Sequence, residues 1–102
     1  MKKLELRFLP LFEEDLSEIV DYIAHRLQNP SAAERLVDEV EQAIERRRDC
    51  AEAFEPFPTT KARRHPYYRI FVRNYTIFYV VIGDVMEVRR ILYSRRNLNE
   101  IL

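Results

Sequence analysis

A single glycine, a single cysteine and two histidines in 102 residues set the first limits on this chain. One glycine cannot build the glycine-rich loop whose backbone N–H groups cradle a nucleotide's phosphates. Cys50 has no partner for an internal disulfide, which points to a reducing compartment. His25, His65 and Cys50 fall on different elements, without the close ligand spacing that zinc needs. No metal and no cofactor are therefore expected. No apolar run approaches the roughly 18 residues that cross a bilayer. The chain begins Met1-Lys2-Lys3, but Glu5 and Arg7 interrupt what would be the apolar region of a signal peptide. The expectation is a soluble cytoplasmic protein with no membrane partner.

What the chain does contain is enough to fold. Apolar residues make up 47% and charged residues 33%, which excludes collagen-like, low-complexity and disordered classes because the apolar surface offsets the ordering entropy. The length fits one domain over residues 1–102, burying between roughly 60% and 70% of its unfolded surface. The net charge is zero, yet its distribution is lopsided. Residues 1–60 carry 8 Lys/Arg against 14 Asp/Glu, and residues 61–102 carry 9 against 3. An acidic half and an arginine-rich half imply either two surfaces of opposite potential or two halves that pack and neutralise each other.

Lys3-Leu4-Glu5-Leu6-Arg7-Phe8 alternates charged and apolar residues, the period of a strand with one buried face. Pro10 suits a first helical turn. Phe12, Leu16, Ile19, Val20, Ile23 and Leu27 then recur at helical spacing, with acidic residues opposite. The helix should end near Gln28-Asn29-Pro30. Ser31 and Glu34 read as a capping box opening a second helix, whose apolar stripe is Ala33, Leu36, Val37, Val40 and Ile44. The short link makes the two helices an antiparallel hairpin. A proline- and aromatic-containing loop over 52–66 follows, carrying Lys61, Arg63 and Arg64, with its aromatics expected to pack on the domain. Three runs rich in β-branched and aromatic residues come next, at 67–73, 75–82 and 85–93, with Arg73-Asn74 and Gly83-Asp84 as turns. The fold class is therefore α+β, in the order β-α-α-β-β-β, with the helical hairpin on one face of a small, mostly antiparallel twisted sheet. Along 67–73, Tyr68, Ile70 and Val72 share one face, and Arg69, Phe71 and Arg73 the other. The open sheet face and Tyr93-Ser94-Arg95-Arg96 are expected to form one cationic, aromatic concavity.

That surface admits two kinds of chemistry. Metal-independent RNA cleavage needs a base for the 2′-hydroxyl, an acid for the leaving oxygen and fixed cations for the pentavalent phosphate. His65 or Glu87 is a candidate base and Tyr93 a candidate acid. Arg69, Arg90, Arg95 and Arg96 are candidate clamps, because the guanidinium fork bonds two phosphate oxygens at once. The ordinary alternative is a loop histidine, a packed tyrosine ring and arginines paired with the acidic helices. Pure recognition is the other use: arginines interleaved with aromatics anchor an acidic peptide, and the seam of the helical hairpin accepts a partner helix.

Over nearly its whole length the chain resembles the RelE/ParE superfamily of toxins from type II toxin–antitoxin modules. The resemblance rests on the element order, on Tyr75-Thr76-Ile77-Phe78-Tyr79-Val80, and on Val88-Arg89-Arg90-Ile91-Leu92-Tyr93-Ser94-Arg95-Arg96-Asn97-Leu98, an apolar strand running into a basic turn and a short helical tail. RelE-like members cut mRNA in the ribosomal A site, whereas ParE-like members poison DNA gyrase. The RelE-like pattern has arginine where Thr76 stands, arginine matched by Arg95, and a tyrosine where Ile101 stands. ParE-like members have an apolar or neutral residue at the Thr76 position, a stretch like Arg90–Asn97, and commonly a histidine where Tyr93 stands.

The resemblance thus implies a growth-inhibiting toxin nearer the ParE-like branch, of the kind tied to plasmid stabilisation, neutralised by a cognate antitoxin and acting on DNA gyrase. The target would be bound by Arg90, Arg95 and Arg96. The antitoxin would lie over the hairpin and sheet edge, at Leu16, Val20, Val37, Val40, Arg69 and Arg73, with an acidic segment suiting the basic half. The alternative is a ribosome-dependent mRNA endonuclease using Arg95, Tyr93, Arg69 and His65, with the ribosome and mRNA as partners. A third reading is a non-toxic binding protein of the same fold, and a homodimer is compatible with any of the three.

Overall fold

The structure, a computed structural model, describes residues 3–58 and 64–96; Lys61, Arg63 and the expected tail from Asn97 onward, Ile101 included, lie outside them. Its elements are β1 (Glu5–Phe8), α1 (Pro10–Asp21), α2 (Pro30–Arg47), β2 (Tyr68–Val72), β3 (Tyr75–Ile82) and β4 (Val85–Tyr93). The strands form one sheet in the order β1-β4-β3-β2. The β2–β3 and β3–β4 pairs are antiparallel hairpins, and β1 runs parallel to β4 with Glu5 opposite Val85 and Phe8 opposite Val88. The expected fold class is the observed one.

Local chemistry accounts for the element ends, and in two places it differs from the sequence expectation. Pro10 occupies the first turn of α1, where its missing N–H leaves nothing unpaired. The helix then widens into a π-helical turn over Tyr22–Arg26, with the Leu27 N–H bonding the Tyr22 carbonyl at 3.1 Å. That turn holds one more residue than an α-turn, so the apolar stripe rotates off the core, and Leu27 is 56% exposed rather than buried. The second correction concerns the cap of α2. Asn29, not Ser31, caps it, because Pro30 fits the first helical position and the Asn29 side chain accepts from the Ala32 N–H at 3.2 Å.

Both hairpin turns lie where the turn residues placed them, with Gly83 at φ +60° and Arg73 at φ +53°. At Arg73 the left-handed backbone swings the side chain away from Arg69 and Phe71, and it reaches Glu39 of α2, with Nε donating to Oε1 at 3.2 Å. The expectation that Arg73 shares the Arg69 face is thus corrected.

The helices cover one face of the sheet. Phe12, Leu36, Val40, Ala43 and Ile44 pack on Tyr68, Ile70, Val72, Ile77, Tyr79, Met86, Val88 and Ile91. On the opposite face, Tyr67, Phe78, Val80 and Leu92 form a smaller cluster under Phe57. Phe57 meets Phe78 edge-on at 5.2 Å, so this aromatic of the loop after α2 packs on the domain as expected, whereas Phe54 stays 46% exposed. Thr76 through Val80 are buried on both sides, which is why β3 reads as a continuous apolar run instead of an alternation.

β1 is shorter than β4 and leaves the last residues of β4 without a strand on that side. Opposite Phe78 and Tyr79 the register shifts, because Arg90 faces Phe78 and Val88 faces Tyr79, so Arg89 is an extra residue in β4. Beyond this bulge, α1 takes over from β1. Asp15 accepts two bonds from Arg90, at 2.8 and 2.9 Å, and a third from the Ile91 N–H at 3.2 Å. A carboxylate so satisfies a backbone donor that the sheet would otherwise leave unpaired. The pair is largely sequestered, with side chains 20% and 11% exposed for Arg90 and Asp15. Replacing Asp15 by Ala strands the guanidinium and the Ile91 N–H and should lower unfolding stability by about 3 kcal/mol. Asp15→Asn, which keeps the acceptor for Ile91, should recover part of that. Urea midpoints of the three proteins measure it, and a loss below about 0.5 kcal/mol for Asp15→Ala would class the contact with exposed surface pairs.

Candidate functional site

The end of β4 is where the sequence concentrates its candidates, and the strand alternation distributes them over two faces. Tyr93 pairs with Tyr75 across β3–β4, and both turn toward the helices. Their rings meet edge-on at 6.1 Å, and Tyr93 is 39% exposed. Ser94 then bonds back, its N–H donating to the Asn74 carbonyl at 2.8 Å. Its hydroxyl lies 2.7 Å from that of Thr76, which is fully buried. Arg95 and Arg96 follow, both exposed, and make no ion pair among the described residues. Arg90 is differently placed: the bonds it donates to Asp15, against some desolvation, raise its pKa further and give it a structural partner.

Arg69 is on β2, on the face away from the helices, with its guanidinium carbon 5.0 Å from the Phe57 ring centre and 5.5 Å from that of Phe71. Arg69 pairs with Phe78, and Tyr93 with Tyr75. Three residues of strand and two interstrand spacings therefore separate them by more than about 13 Å. They also face opposite sides of the sheet. The single concavity expected from the sequence is thus corrected: Tyr93 belongs to the helical side and Arg69 to the other. His65 lies half-buried in the segment leading into β2.

Glu87, the other candidate base, sits at the centre of an ion cluster on the outer face. Arg7 and Arg89 each donate to it at 2.8 Å, and its side chain is 7% exposed. Burial alone would raise its pKa, but the two guanidinium bonds outweigh burial and hold it below the ordinary carboxylate value. A carboxylate held ionised in this way is a poor proton acceptor, so the structure removes Glu87 as a general base.

The hairpin side offers apolar grooves with acidic rims. One, of 390 Å³, runs beside β1 and is lined by Leu6, Phe8, Phe12 and Leu16 under Glu13, Glu41 and Glu45. Another, of 470 Å³, lies between the helices and is lined by Val20, Ala24, Ala33 and Val37 beside Glu34 and Asp38. Leu16, Val20 and Val37 are half-buried and border these grooves. Val40, 1% exposed, belongs to the core and lies at the base of the first groove, so most of its surface is already covered within the chain. Phe8, 41% exposed, lines the first groove and was not singled out from sequence, since an alternating strand does not show how little covers it.

Sequence reasoning also missed Arg47. Its Nη1 donates to the Arg69 carbonyl at 2.9 Å and to the Tyr79 hydroxyl at 3.0 Å, while its guanidinium stacks 3.6 Å from the centre of the Phe54 ring. The Tyr79 hydroxyl donates in turn to the Ala51 carbonyl at 2.6 Å. This network fastens the end of α2 to β2 and β3. Nothing short of the β2–β3 register distinguishes Arg47 from its neighbours in Arg46-Arg47-Arg48. Among the described residues no group of three His, Cys, Asp or Glu is placed to hold a metal, and no helix is long and apolar enough to cross a membrane.

Comparison with known proteins bears on this arrangement. Residues 6–98 match a family model described as the ParE toxin of the type II toxin–antitoxin system parDE. A solved structure titled "Chromosomal ParDE TA system from P. aeruginosa" superposes with a TM-score of 0.74 at 16% identity, covering 91% of this chain and 98% of that one. At that identity the likeness is one of fold. No curated protein sequence matches the chain significantly.

The Glu87 cluster has a pH signature. A carboxylate whose folded pKa is depressed contributes stability that is fully present above its unfolded value, about 4.3, and is lost as pH falls through the folded value. Glu87→Gln should therefore cost about 2 kcal/mol at pH 7. The difference between the two proteins should shrink as pH falls below about 4. Urea midpoints at pH 7 and pH 3 measure this; a difference that is independent of pH would mean that Glu87 is not ionised in the folded protein.

Proposed function

Because the chain belongs to the family of ParE toxins of type II toxin–antitoxin systems, we propose that it is a cytoplasmic growth inhibitor that acts on DNA gyrase and is held inactive by a cognate antitoxin. The observation that carries the choice of target is the state of Thr76. The mRNA-cleaving branch that the sequence resembles has arginine at this position. Here the side chain is fully buried and bonded to Ser94 at 2.7 Å. A guanidinium there would need to displace Phe78 and Leu92, its neighbours on the same face and both buried. The separation of Arg69 from Tyr93 also speaks against a composite phosphodiester-cleaving site, since general acid, base and clamp must converge on one phosphate.

The exposed pair Arg95 and Arg96 then serves as the contact with the target. Exposed arginines that, like these, make no ion pair among the described residues are the type of residue that carries binding energy at protein interfaces. Arg90 supports that turn by fastening β4 to α1. The antitoxin covers the hairpin grooves bordered by Leu16, Val20 and Val37. Their acidic rims favour an apolar segment with basic flanks, whereas an acidic segment suits the opposite face, near Arg69.

Expression in a bacterial host without antitoxin tests the reading. Growth should stop while mRNA mapped by primer extension stays intact, and purified protein should trap gyrase on cleaved DNA. New mRNA ends inside translated frames would overturn the gyrase assignment in favour of ribosome-dependent cleavage. Arg95→Ala with Arg96→Ala should weaken target binding by about 10- to 100-fold, which is about 1–3 kcal/mol. Undiminished growth arrest by that double variant would remove the pair from the target contact.

A further inference from the structure

Where β1 stops short and α1 crosses the end of β4, a small cleft remains. Its volume is 170 Å³, room for the end of one side chain but well below the roughly 300–1,000 Å³ of small-molecule sites. Three tyrosines line it: Tyr22 from the π-helical turn, Tyr75 from the start of β3 and Tyr93 from the end of β4. Tyr22 and Tyr93 are 47% and 39% exposed, unusually open for such large rings. The phenols stand close enough to influence one another: burial first, then the proximity of Tyr22 and Tyr93, raises the Tyr75 pKa, so that hydroxyl stays neutral. Two carboxylates also border the cleft, but Asp15 is committed to Arg90 and the Ile91 N–H. Glu18 has no partner among the described residues and borders both this cleft and the adjoining groove with Asp21.

We propose that this cleft is a recognition pocket for an arginine side chain presented by a protein partner. The rings offer π faces on which a guanidinium stacks, and the phenol oxygens and Glu18 offer acceptors for its five N–H donors. The sign of the surroundings agrees. On the cleft side of α1, Glu14, Glu18 and Asp21 are exposed, while Asp15 cancels Arg90. One cation, Arg96, also lines the cleft and pairs with neither carboxylate among the described residues. Tyr22 already receives a guanidinium within the chain, with that of Arg26 5.8 Å from its ring centre. A lysine would supply charge without the planar stacking, and an anion would meet Glu18. The pocket shares Arg96 with the proposed target contact, but its test reads peptide binding at the tyrosines and not toxicity, so its failure leaves the family and target readings untouched.

Titrating the full chain with a blocked Gly-Arg-Gly tripeptide, followed through tyrosine ring resonances by NMR, tests this. Saturable shifts confined to Tyr22, Tyr75 and Tyr93 are expected, at least threefold weaker binding in Glu18→Gln, and loss of binding in Tyr93→Leu. Unchanged melting temperatures would show that both variants remain folded. The same peptide with citrulline in place of arginine, which keeps the shape and removes the charge, should bind at least threefold more weakly. Equal shifts from the citrulline peptide, stronger shifts from a phenylalanine peptide, or no response at the three rings would each overturn the proposal.

Discussion

Three bonds to one carboxylate hold the two halves of this fold together. β1 is only four residues long, so it cannot pair the full length of the nine-residue β4. The backbone donors beyond Val88 need another acceptor, and Asp15, reaching across from α1, supplies one to Ile91 while binding Arg90. The extra residue Arg89 in β4 makes this geometry available, since it moves Arg90 one step out of register with the first half of the strand. The clasp thereby fixes the angle of α1 over the sheet. It also closes part of a sheet edge that would otherwise offer a free N–H to another chain.

The clasp is also one of several pairs that take up the uneven charge. In the arginine-rich half, Arg73, Arg89 and Arg90 are neutralised by Glu39, Glu87 and Asp15, so self-neutralisation accounts for part of it. Arg95 and Arg96 remain exposed beyond β4, and Arg69 rests between aromatic rings instead of against a carboxylate. On the helices Glu13, Glu14, Glu18, Asp21 and Glu41 stay exposed. Local pairing and a separation of charge between the layers therefore coexist. The pairs lie where helix meets sheet edge and across β1 and β4, and the charges without an ion pair among the described residues lie on exposed surface, where solvent screens them.

Most of the architecture was legible because alternation and helical periodicity are local. Tyr68, Ile70 and Val72 go inward and Arg69 and Phe71 outward, as period two requires. What was not legible depends on single backbone events that no periodicity records. The π-helical turn exposes Leu27, the left-handed Arg73 sends its side chain to α2, and the bulge at Arg89 places Arg90 beside Asp15. Asn29 in place of Ser31 is a smaller case, where two plausible caps two residues apart compete and the proline decides. The candidate site suffered more than the fold, because it required residues from β2 and β4 to converge. Their convergence depends on register and on face, not on composition.

The separation of Arg69 from Tyr93 shows how one rule serves both fold and site. A flat cleft for a phosphodiester needs its acid, base and clamps on one face within a few ångströms. The alternation that lets Tyr75, Ile77 and Tyr79 bury toward the helices obliges Thr76, Phe78 and Val80 to bury on the other side. With β3 sealed on both faces, Thr76 can spend its hydroxyl on Ser94 but has no room to carry a charge. The chemistry is thereby displaced from the sheet to its margin, to the turn that holds Arg95 and Arg96 and to the tyrosines beside α1. The contacts proposed above for target and partner both lie on that margin, rigid behind and open in front.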